Sequence, residues 1–172
     1  YGGMLCDIGI HQVEQFLYFT GNTKATVVTS QVANYHHPNH PGFDDFGDAL
    51  LRGENGATSH NENNRWPRFR CDWFTPDGLS TWGDGRLTIL GTEGYIELRK
   101  YVDLTRNENN IVYLVNQHGE QRLAATGRVE RRFFNQFVQD CLYRTETAMS
   151  QEWIFIVTEL AINAQRAAHR LC

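Results

Sequence analysis

The sequence predicts an α+β protein, and three observations lead to that class. Apolar residues recur at helical spacing near the start of the chain and again near its end. Runs of β-branched and aromatic residues of strand length occupy the middle of the chain. Tight-turn signals join these runs. Strands joined by short hairpins pair antiparallel, so we expect an open, largely antiparallel or mixed β-sheet with the helices packed on one face.

The first predicted helix covers Asp7–Phe19. It ends at Gly21, because glycine readily adopts the left-handed conformation that stops many helices. Asp7 and His11 are four residues apart, so on a helix they lie on the same face. A carboxylate that holds an imidazole is a common way to make a general base near neutral pH. On spacing alone, such a pair more often only stabilises the helix start.

The extended runs between the helices are separated by turn signals, of which Asn55-Gly56 is the strongest for a hairpin. We expect six to eight strands among runs that cover residues 24–34, 45–52, 58–66, 68–74, 78–82, 86–90, 95–100, 111–115 and 121–124. The runs on either side of Thr75–Gly78 are expected to pair as a hairpin. Apolar spacing then predicts a helix over 131–143, and Ser150 is a suitable N-cap for a last helix from Gln151 to about Leu171.

Composition and charge narrow the class of protein. With 172 residues, 41% of them hydrophobic and 21% charged, the chain is long enough for a hydrophobic core, and we assign residues 1–172 to a single domain. The net charge of −4 argues against a nucleic-acid partner, which would need a basic face. No apolar run reaches the roughly 18 residues that a membrane helix needs, so no membrane partner is expected.

Cysteine usage indicates a reducing compartment. Cys6, Cys71, Cys141 and Cys172 show no spacing typical of a metal or redox site. We therefore expect free buried thiols and a cytoplasmic protein. The chain does not begin with methionine, so a targeting segment would lie upstream of it.

A histidine-rich loop follows the first predicted strand. His36, His37 and His40 are interspersed with Pro38 and Pro41, close to Asp44 and Asp45. Imidazoles and carboxylates together can bind a transition metal. An exposed histidine-rich loop is more often simply polar, so we assign no metal site. A metal-dependent site at these three histidines is kept as an alternative.

Three stretches of the chain carry a recognisable pattern. Residues 2–11 read Gly-Gly-Met-Leu-Cys-Asp-Ile-Gly-Ile-His, residues 86–98 form a strand–Gly-Thr-x-Gly–strand unit, and residues 133–142 form a helix that precedes the long final helix. In order and spacing these stretches resemble the C-terminal domain of the Gfo/Idh/MocA family, the glucose–fructose oxidoreductase and inositol dehydrogenase relatives. The resemblance covers nearly the whole chain. It is specific for the domain and says little about the substrate.

The resemblance implies an NAD- or NADP-dependent oxidoreductase that acts on a sugar, inositol or related polyol. His11 would take the hydroxyl proton as the alcohol becomes a ketone while hydride passes to the nicotinamide, and Asp7 would orient His11. A dinucleotide-binding motif has the pattern Gly-x-Gly-x-x-Gly and leads into a helix. Gly83-Asp-Gly85 does not fit this pattern, because Thr88 occupies the position of the third glycine and a strand is predicted there. The family's Glu-Lys-Pro motif is absent as well. We therefore expect the N-terminal Rossmann domain, which would hold most of the cofactor, to lie outside this chain, and the chain to be inactive without it.

The resemblance also directs attention to polar residues that a sugar site would use. Hydroxyl contacts are expected from amides, imidazoles and a guanidinium, and a tryptophan can stack on a sugar ring. The candidates for substrate binding are His60, Asn61, Asn63, Arg65, His36 and Trp82. The alternative for residues 60–65 is a solvated strand face, and Trp82 could instead cover the sheet or lie at a subunit interface.

We also expect a homo-oligomer assembled through the outer face of the sheet, because an open sheet with apolar outward residues needs a cover. A second reading makes the chain a non-catalytic binding or assembly module on the same scaffold.

Overall fold

The computed structural model describes residues 2–59, 69–103, 109–128, 130 and 132–172. Within these ranges the chain forms two compact units. The first comprises Tyr1–Phe74 and Phe133–Cys172, and the second comprises Thr75–Arg132. The assignment of residues 1–172 to one domain stays a prediction.

Helices and strands are grouped in separate stretches of the chain, as in an α+β fold, which confirms the predicted class. The elements in chain order are α1 (Met4–Asp7), α2 (Gly9–Thr20), β1 (Ala25–Ala33), β2 (Phe46–Gly53), β3 (Phe69–Asp72), β4 (Arg86–Gly91), β5 (Gly94–Arg99), β6 (Ile111–Asn116), β7 (Gly119–Ala124), α3 (Arg132–Tyr143), α4 (Gln151–Ala167) and β8 (His169–Arg170).

The first predicted helix is in fact two helices that meet at Ile8, and the first of them begins earlier than predicted, at Met4. The His11 N–H donates to the Ile8 carbonyl at 3.2 Å, a three-residue hydrogen bond that tightens the chain where α2 begins. The predicted helix end is confirmed. Gly21 has φ +66° and closes α2 in the left-handed conformation.

The first unit is built on a four-stranded sheet in the order β3-β2-β1-β8. β1 and β2 pair antiparallel over their whole length, from Ala25 opposite Gly53 to Ala33 opposite Phe46. β8 pairs with β1 in parallel over two residues. Helices α1 and α2 pack on β2 and β3, and α4 packs on β1. The three helices and this sheet enclose the core of the unit.

That core consists of two neighbouring clusters of buried side chains. One joins α2 to α4 over β2 and contains Val13, Phe16, Leu17, Leu51, Val157, Leu160 and Ala161. The other lies under α1 and contains Met4, Leu5, Val32, Ala49, Cys71 and Ala164. Burial of apolar side chains of this size supplies the main favourable term of folding.

The second unit contains an antiparallel meander in the order β4-β5-β6-β7. The strands predicted over 86–90, 95–100, 111–115 and 121–124 are confirmed, and they pair as two hairpins, β4 with β5 and β6 with β7. A buried carboxylate supports the sheet, since the Tyr113 hydroxyl donates to Asp103 Oδ2 at 2.6 Å. Arg122 forms an ion pair with the same carboxylate at 3.9 Å.

Several expectations from the sequence were wrong. Among the described residues, the hairpin predicted for 68–74 and 78–82 is not formed, because β3 pairs with β2 instead and residues 78–82 form turns and bends. The last helix stops at Ala167, and the chain turns back into β8. Cys6 and Cys71 are covered to different extents, but Cys141 and Cys172 are exposed, so the thiols are free without all being buried.

The helix predicted over 131–143 is present as α3, but none of its described side chains is buried. Its large apolar residues, among them Phe134 and Leu142, are exposed. The predicted cap of α4 is confirmed, because Ser150 Oγ accepts a hydrogen bond from the Trp153 N–H at 3.2 Å. Among the described residues, no helix is both long and apolar enough to span a membrane.

Replacement of a core leucine tests this account of the first unit. Leu17 is fully buried, and Leu17→Ala is expected to lower the free energy of unfolding by about 2–5 kcal/mol, because a cavity replaces packed methyl groups. Leu142→Ala is the matched control. Its side chain is 65% exposed on α3, so a change within about 0.5 kcal/mol is expected. Urea unfolding followed by circular dichroism measures both values, and equal losses would contradict the assigned core.

Candidate active site

The two predicted catalytic residues lie on either side of the junction between α1 and α2. Asp7 is the last residue of α1, His11 is in the first turn of α2, and both side chains are exposed. The contacts of the described residues include no hydrogen bond or ion pair between the Asp7 carboxylate and the His11 imidazole. The two groups therefore lie on successive short helices rather than on one continuous helix, and their catalytic role stays a prediction.

The junction is held tightly against the edge strand β3. Gly9 is buried, and a Cβ atom there would be 3.3 Å from Leu5 Cδ2 and from Phe69 Cε2. Such separations are close for carbon atoms, so the missing side chain lets α2 approach the strand. This contact fixes the backbone two residues before His11.

Asp7 lies close enough to Cys71 to influence that thiol. The Cys71 Sγ contacts the carbonyl oxygens of Met4 at 3.8 Å and Gly47 at 3.6 Å under α1. Burial raises the pKa of the Cys71 thiol to about 12, and the carboxylates of Asp72, Asp48 and Asp7 add to the rise. Cys71 therefore stays protonated near neutral pH and acts as a packing residue rather than as a nucleophile.

A glutamine of α4 links α1 to the loop that follows β1. Gln165 Oε1 accepts a hydrogen bond from the Leu5 N–H at 3.0 Å, and Gln165 Nε2 donates to Asp44 Oδ2 at 2.9 Å. The Arg170 guanidinium of β8 donates to the other oxygen of the Asp44 carboxylate. Gly3 makes room for this link, because a Cβ atom there would be only 2.4 Å from the Gln165 side chain.

The adjacent carboxylate, Asp45, organises the histidine loop. It is fully buried and accepts hydrogen bonds from the Tyr35 N–H at 2.9 Å, the His36 N–H at 2.7 Å and the His37 ring at 2.9 Å. Burial by itself would raise the pKa of Asp45, but the hydrogen bonds from Tyr35, His37 and His36 together hold it below its ordinary value. Asp45 is therefore an ionised acceptor near neutral pH.

The three histidines of the loop have different surroundings. His36 lies against Phe74 in an edge-to-face arrangement at 6.3 Å, and His37 is bound to Asp45. At His40 the backbone carbonyl accepts from the Asn34 side chain at 2.8 Å. In the part of the chain that the structure describes, no group of three or more His, Cys, Asp or Glu residues is arranged to hold a metal ion. The alternative of a metal site at His36, His37 and His40 thus has no ligand set there.

The remaining predicted contacts to substrate fall in two places. His60, Asn61, Asn63 and Arg65 lie outside the described residues. Trp82 belongs to the second unit, where 79% of its surface is exposed.

The segment that contains the polar candidates is flanked by anchored residues. On one side, the Ser59 N–H donates to the Leu51 carbonyl at 2.9 Å, and Ser59 Oγ accepts from the Leu51 N–H at 2.8 Å. On the other side, Phe69 begins β3 beside Gly9.

Sequence reasoning missed the Asp45–His37 pair. Both residues were noted, but only as members of a possible metal cluster. The two are eight residues apart across a loop with prolines and a glycine, and no periodic pattern brings them together. The sequence feature that could have indicated this pair is an acidic dipeptide at the start of a predicted strand, just after a histidine-rich loop.

The chain matches the sequence model of the GFO/IDH/MocA C-terminal domain over residues 1–97, which is more than half of its length. The chain belongs to the GFO/IDH/MocA family. The matched residues contain the Asp7–His11 motif, strands β1 to β4 and the first residues of β5. No curated protein matches the chain.

Solved structures agree with this membership. A protein from Erwinia carotovora atroseptica, provisionally named an oxidoreductase, is 70% identical over all of this chain, with a TM-score of 0.90. An oxidoreductase from Agrobacterium radiobacter, solved with NAD+, L-tartaric acid and magnesium, is 18% identical over 94% of the chain, with a TM-score of 0.69. A 3-ketoreductase from Actinomadura kijaniata, solved with NADP and TDP-benzene, is 16% identical over 98% of the chain, with a TM-score of 0.62.

The aligned regions account for 49%, 46% and 47% of those three proteins. The chain therefore spans about half of the length of the structures that it matches. The two distant relatives establish the shared fold of this half. The 70% identity to the Erwinia protein shows that this chain and that protein are close relatives.

Asp45→Asn tests the role given to the buried carboxylate. The substitution removes a charged acceptor from three hydrogen bonds, and we expect it to lower the free energy of unfolding by roughly 1.5–3 kcal/mol at pH 7. Because the pKa of Asp45 is lowered on folding, its contribution is present above the ordinary value of 3.8 and is lost as the pH falls below it. The difference between the variant and the wild type should therefore shrink between pH 5 and pH 3.

Urea unfolding at fixed pH values measures this difference. Asp77→Asn is the control, because Asp77 lies exposed in a turn of the second unit. A wild-type-like stability of Asp45→Asn at pH 7, or a difference that grows as the pH falls, would show that Asp45 does not stabilise the loop as an ionised group.

Proposed function

We propose that this chain is the substrate-binding and oligomerising C-terminal domain of an NAD(P)-dependent oxidoreductase that acts on a sugar, inositol or related polyol. The observation that carries the proposal is the exposed Asp7–His11 motif at the α1–α2 junction, inside the residues that match the family. An imidazole in that position is open to a ligand and can accept a proton from it. The reaction class is inferred from the family, and the reacting residues are inferred from the site.

In the proposed reaction His11 acts on the hydroxyl group that is oxidised. The imidazole accepts the hydroxyl proton as the carbon–oxygen bond becomes a carbonyl, and it returns the proton in the reverse direction. A nearby carboxylate stabilises the imidazolium that forms, which is the part given to Asp7. The exposed position of both groups leaves them free to contact a polar substrate.

The described part of the chain does not provide a dinucleotide site. Its one parallel strand pair is β1 with β8, which spans two residues and does not open a glycine-rich turn into a helix. The cofactor would therefore be held mainly by a nucleotide-binding domain outside this sequence, where the nicotinamide supplies the hydride chemistry. NAD+ in the Agrobacterium structure and NADP in the Actinomadura structure support this choice of cofactor.

The substrate class rests on chemistry and on the relatives. L-tartaric acid, which is bound to the Agrobacterium protein, carries hydroxyl groups on neighbouring carbons, as a polyol does. The Actinomadura protein is a ketoreductase, which supports the interconversion of a hydroxyl group and a ketone. We include His36, His60, Asn61, Asn63, Arg65 and Trp82 in the proposed substrate contacts.

Substitution of His11 tests the function. In the full-length protein, His11→Ala should lower kcat/KM for the best sugar or polyol by about 10²–10⁴-fold, because the proton acceptor is lost. His118→Ala is the matched control, since His118 is an exposed residue in the turn between β6 and β7, and it should leave turnover unchanged. The assay is NAD(P)H absorbance over a panel of sugars and polyols.

Two outcomes would contradict this assignment. Turnover of His11→Ala at the wild-type rate would remove His11 from the reaction. A wild-type protein that turns over no sugar or polyol with either cofactor would favour the second candidate, a non-catalytic binding module. The non-catalytic alternative is supported by the absence of a direct hydrogen bond between Asp7 and His11 among the described contacts.

The sheet of the second unit supports the proposal of a homo-oligomer. Cross-strand register places aliphatic residues together on one face, and these are Leu87, Ile89, Ile96, Leu98, Val112, Leu114 and Leu123. None of them is buried among the described residues. An apolar sheet face of this kind is stabilised by a cover, and a second copy of the chain can supply one.

Ile96→Lys tests this interface. Ile96 lies on the aliphatic face, and a lysine there should weaken association by placing a charge in an apolar contact. Thr88→Lys is the control, because Thr88 lies on β4 with its side chain on the opposite face. Sedimentation velocity should show a smaller species for Ile96→Lys than for the control. Identical sedimentation of the wild type and both variants would rule out this face as the interface.

A further inference from the structure

The Asp45–His37 pair has the geometry of an oriented imidazole, although the proposed reaction does not use it. Asp45 is fully buried, and its Oδ2 lies 2.9 Å from His37 Nδ1. The His37 side chain itself is 41% exposed. One ring nitrogen is thus fixed by a buried charge, while the ring as a whole remains accessible from outside the protein.

The chemistry of the partner decides which nitrogen carries the proton. An ionised carboxylate can only accept hydrogen bonds, and Asp45 is ionised near neutral pH for the reasons given above. His37 Nδ1 must therefore be the N–H donor of this bond. In the neutral ring, Nε2 then has no hydrogen and carries a lone pair. His37 presents a hydrogen-bond acceptor in a defined tautomer.

The loop around His37 is held by hydrogen bonds and a ring contact. Asn34 Oδ1 accepts from the His37 N–H at 2.9 Å, and Asn34 Nδ2 donates to the His37 carbonyl at 2.9 Å. The Phe43 ring lies edge-to-face against the imidazole at 5.1 Å. With its backbone and its ring both held, His37 loses little additional conformational freedom when it contacts a ligand.

Two connections place this loop at the same end of the first sheet as Asp7. The Trp73 N–H donates to the Asp45 carbonyl at 3.0 Å, and two residues earlier the Cys71 Sγ contacts the Met4 carbonyl of α1, the helix that ends at Asp7, at 3.8 Å. Two residues of extended chain span about 7 Å. The Gln165 side chain forms the second connection, since it joins the Leu5 N–H to Asp44.

We propose that His37, oriented by Asp45, is a second imidazole of the substrate site, where Nε2 accepts a hydrogen bond from a hydroxyl group that is not oxidised. This inference rests on the proposed function, because a polyol offers several hydroxyl groups and only one of them reacts. A fixed acceptor near the junction would select the orientation of the substrate. His37 is thus a substrate-binding residue, and Asp45 is the positioning residue behind it.

His37→Gln in the full-length protein tests the inference. The amide side chain is polar and similar in length but cannot reproduce the orientation of the ring. Loss of one oriented hydrogen bond should raise KM for the best polyol roughly tenfold, which corresponds to about 1.4 kcal/mol. The value of kcat should change much less, because the reacting hydroxyl group is not touched. His118→Gln is the matched control and should keep the wild-type KM.

A second measurement separates binding from a merely structural role. In protein labelled with 15N at histidine, the nitrogen shifts report which ring nitrogen carries the proton. The wild type should show His37 with the proton on Nδ1, and saturating polyol should shift its Nε2 resonance. Asp45→Asn should remove the tautomer preference and raise KM in the same direction as His37→Gln.

The possible results distinguish this inference from the function on which it rests. An unchanged KM in folded His37→Gln, together with an inactive His11→Ala, overturns the role of His37 and leaves the proposed function in place. A wild-type protein without turnover of any polyol overturns both. Should His37→Gln fail to fold, the wild-type Nε2 resonance decides. A shift with polyol supports the inference, and an unchanged resonance overturns it.

Discussion

Two adjacent buried carboxylates, Asp44 and Asp45, hold together the end of the first sheet on which the site depends. Asp44 receives hydrogen bonds from Gln165 and Arg170, and so ties the chain between β1 and β2 to α4 and to β8. Asp45 receives its hydrogen bonds from the histidine loop. Buried charges are costly unless they are fully paired, so each carboxylate imposes a single arrangement on the groups around it.

The position of the α1–α2 junction follows from this arrangement. Gln165 reaches from the Asp44 carboxylate to the first turn of α1, and the Met4 and Leu5 side chains fill the space over β2 and β3. Asp7 and His11 are therefore exposed residues on a well-supported backbone. Such a region combines a supported scaffold with groups that remain open to a ligand, which suits the proposed proton transfer from a bound hydroxyl group to His11.

The chain also carries apolar surface that its own described residues do not bury. The exposed face of α3 and the aliphatic face of the second sheet are of this kind. Exposed apolar faces of this kind are typical of contact surfaces. The proposed function gives such surfaces two uses, association with a nucleotide-binding domain and association between subunits.

The sequence by itself determined the elements whose causes are local. The stop of α2 at Gly21, the cap of α4 at Ser150 and the hairpin of β4 with β5 all depend on residues within a few positions of one another. Turn residues, helix-capping residues and the alternation of apolar and polar residues in strands reveal such short-range preferences directly. The family motif at Asp7 and His11 was visible for the same reason.

Only the tertiary structure decided the contacts between distant parts of the chain. The pairing of β3 with β2, the link from Leu5 through Gln165 to Asp44, and the exposure of α3 have no counterpart in any local pattern. The Asp45–His37 bond is similar, because it depends on how a loop folds over a buried strand end. Hydrophobic periodicity indicates which face of an element is apolar. It does not indicate which group pairs with a buried charge, because packing decides that pairing.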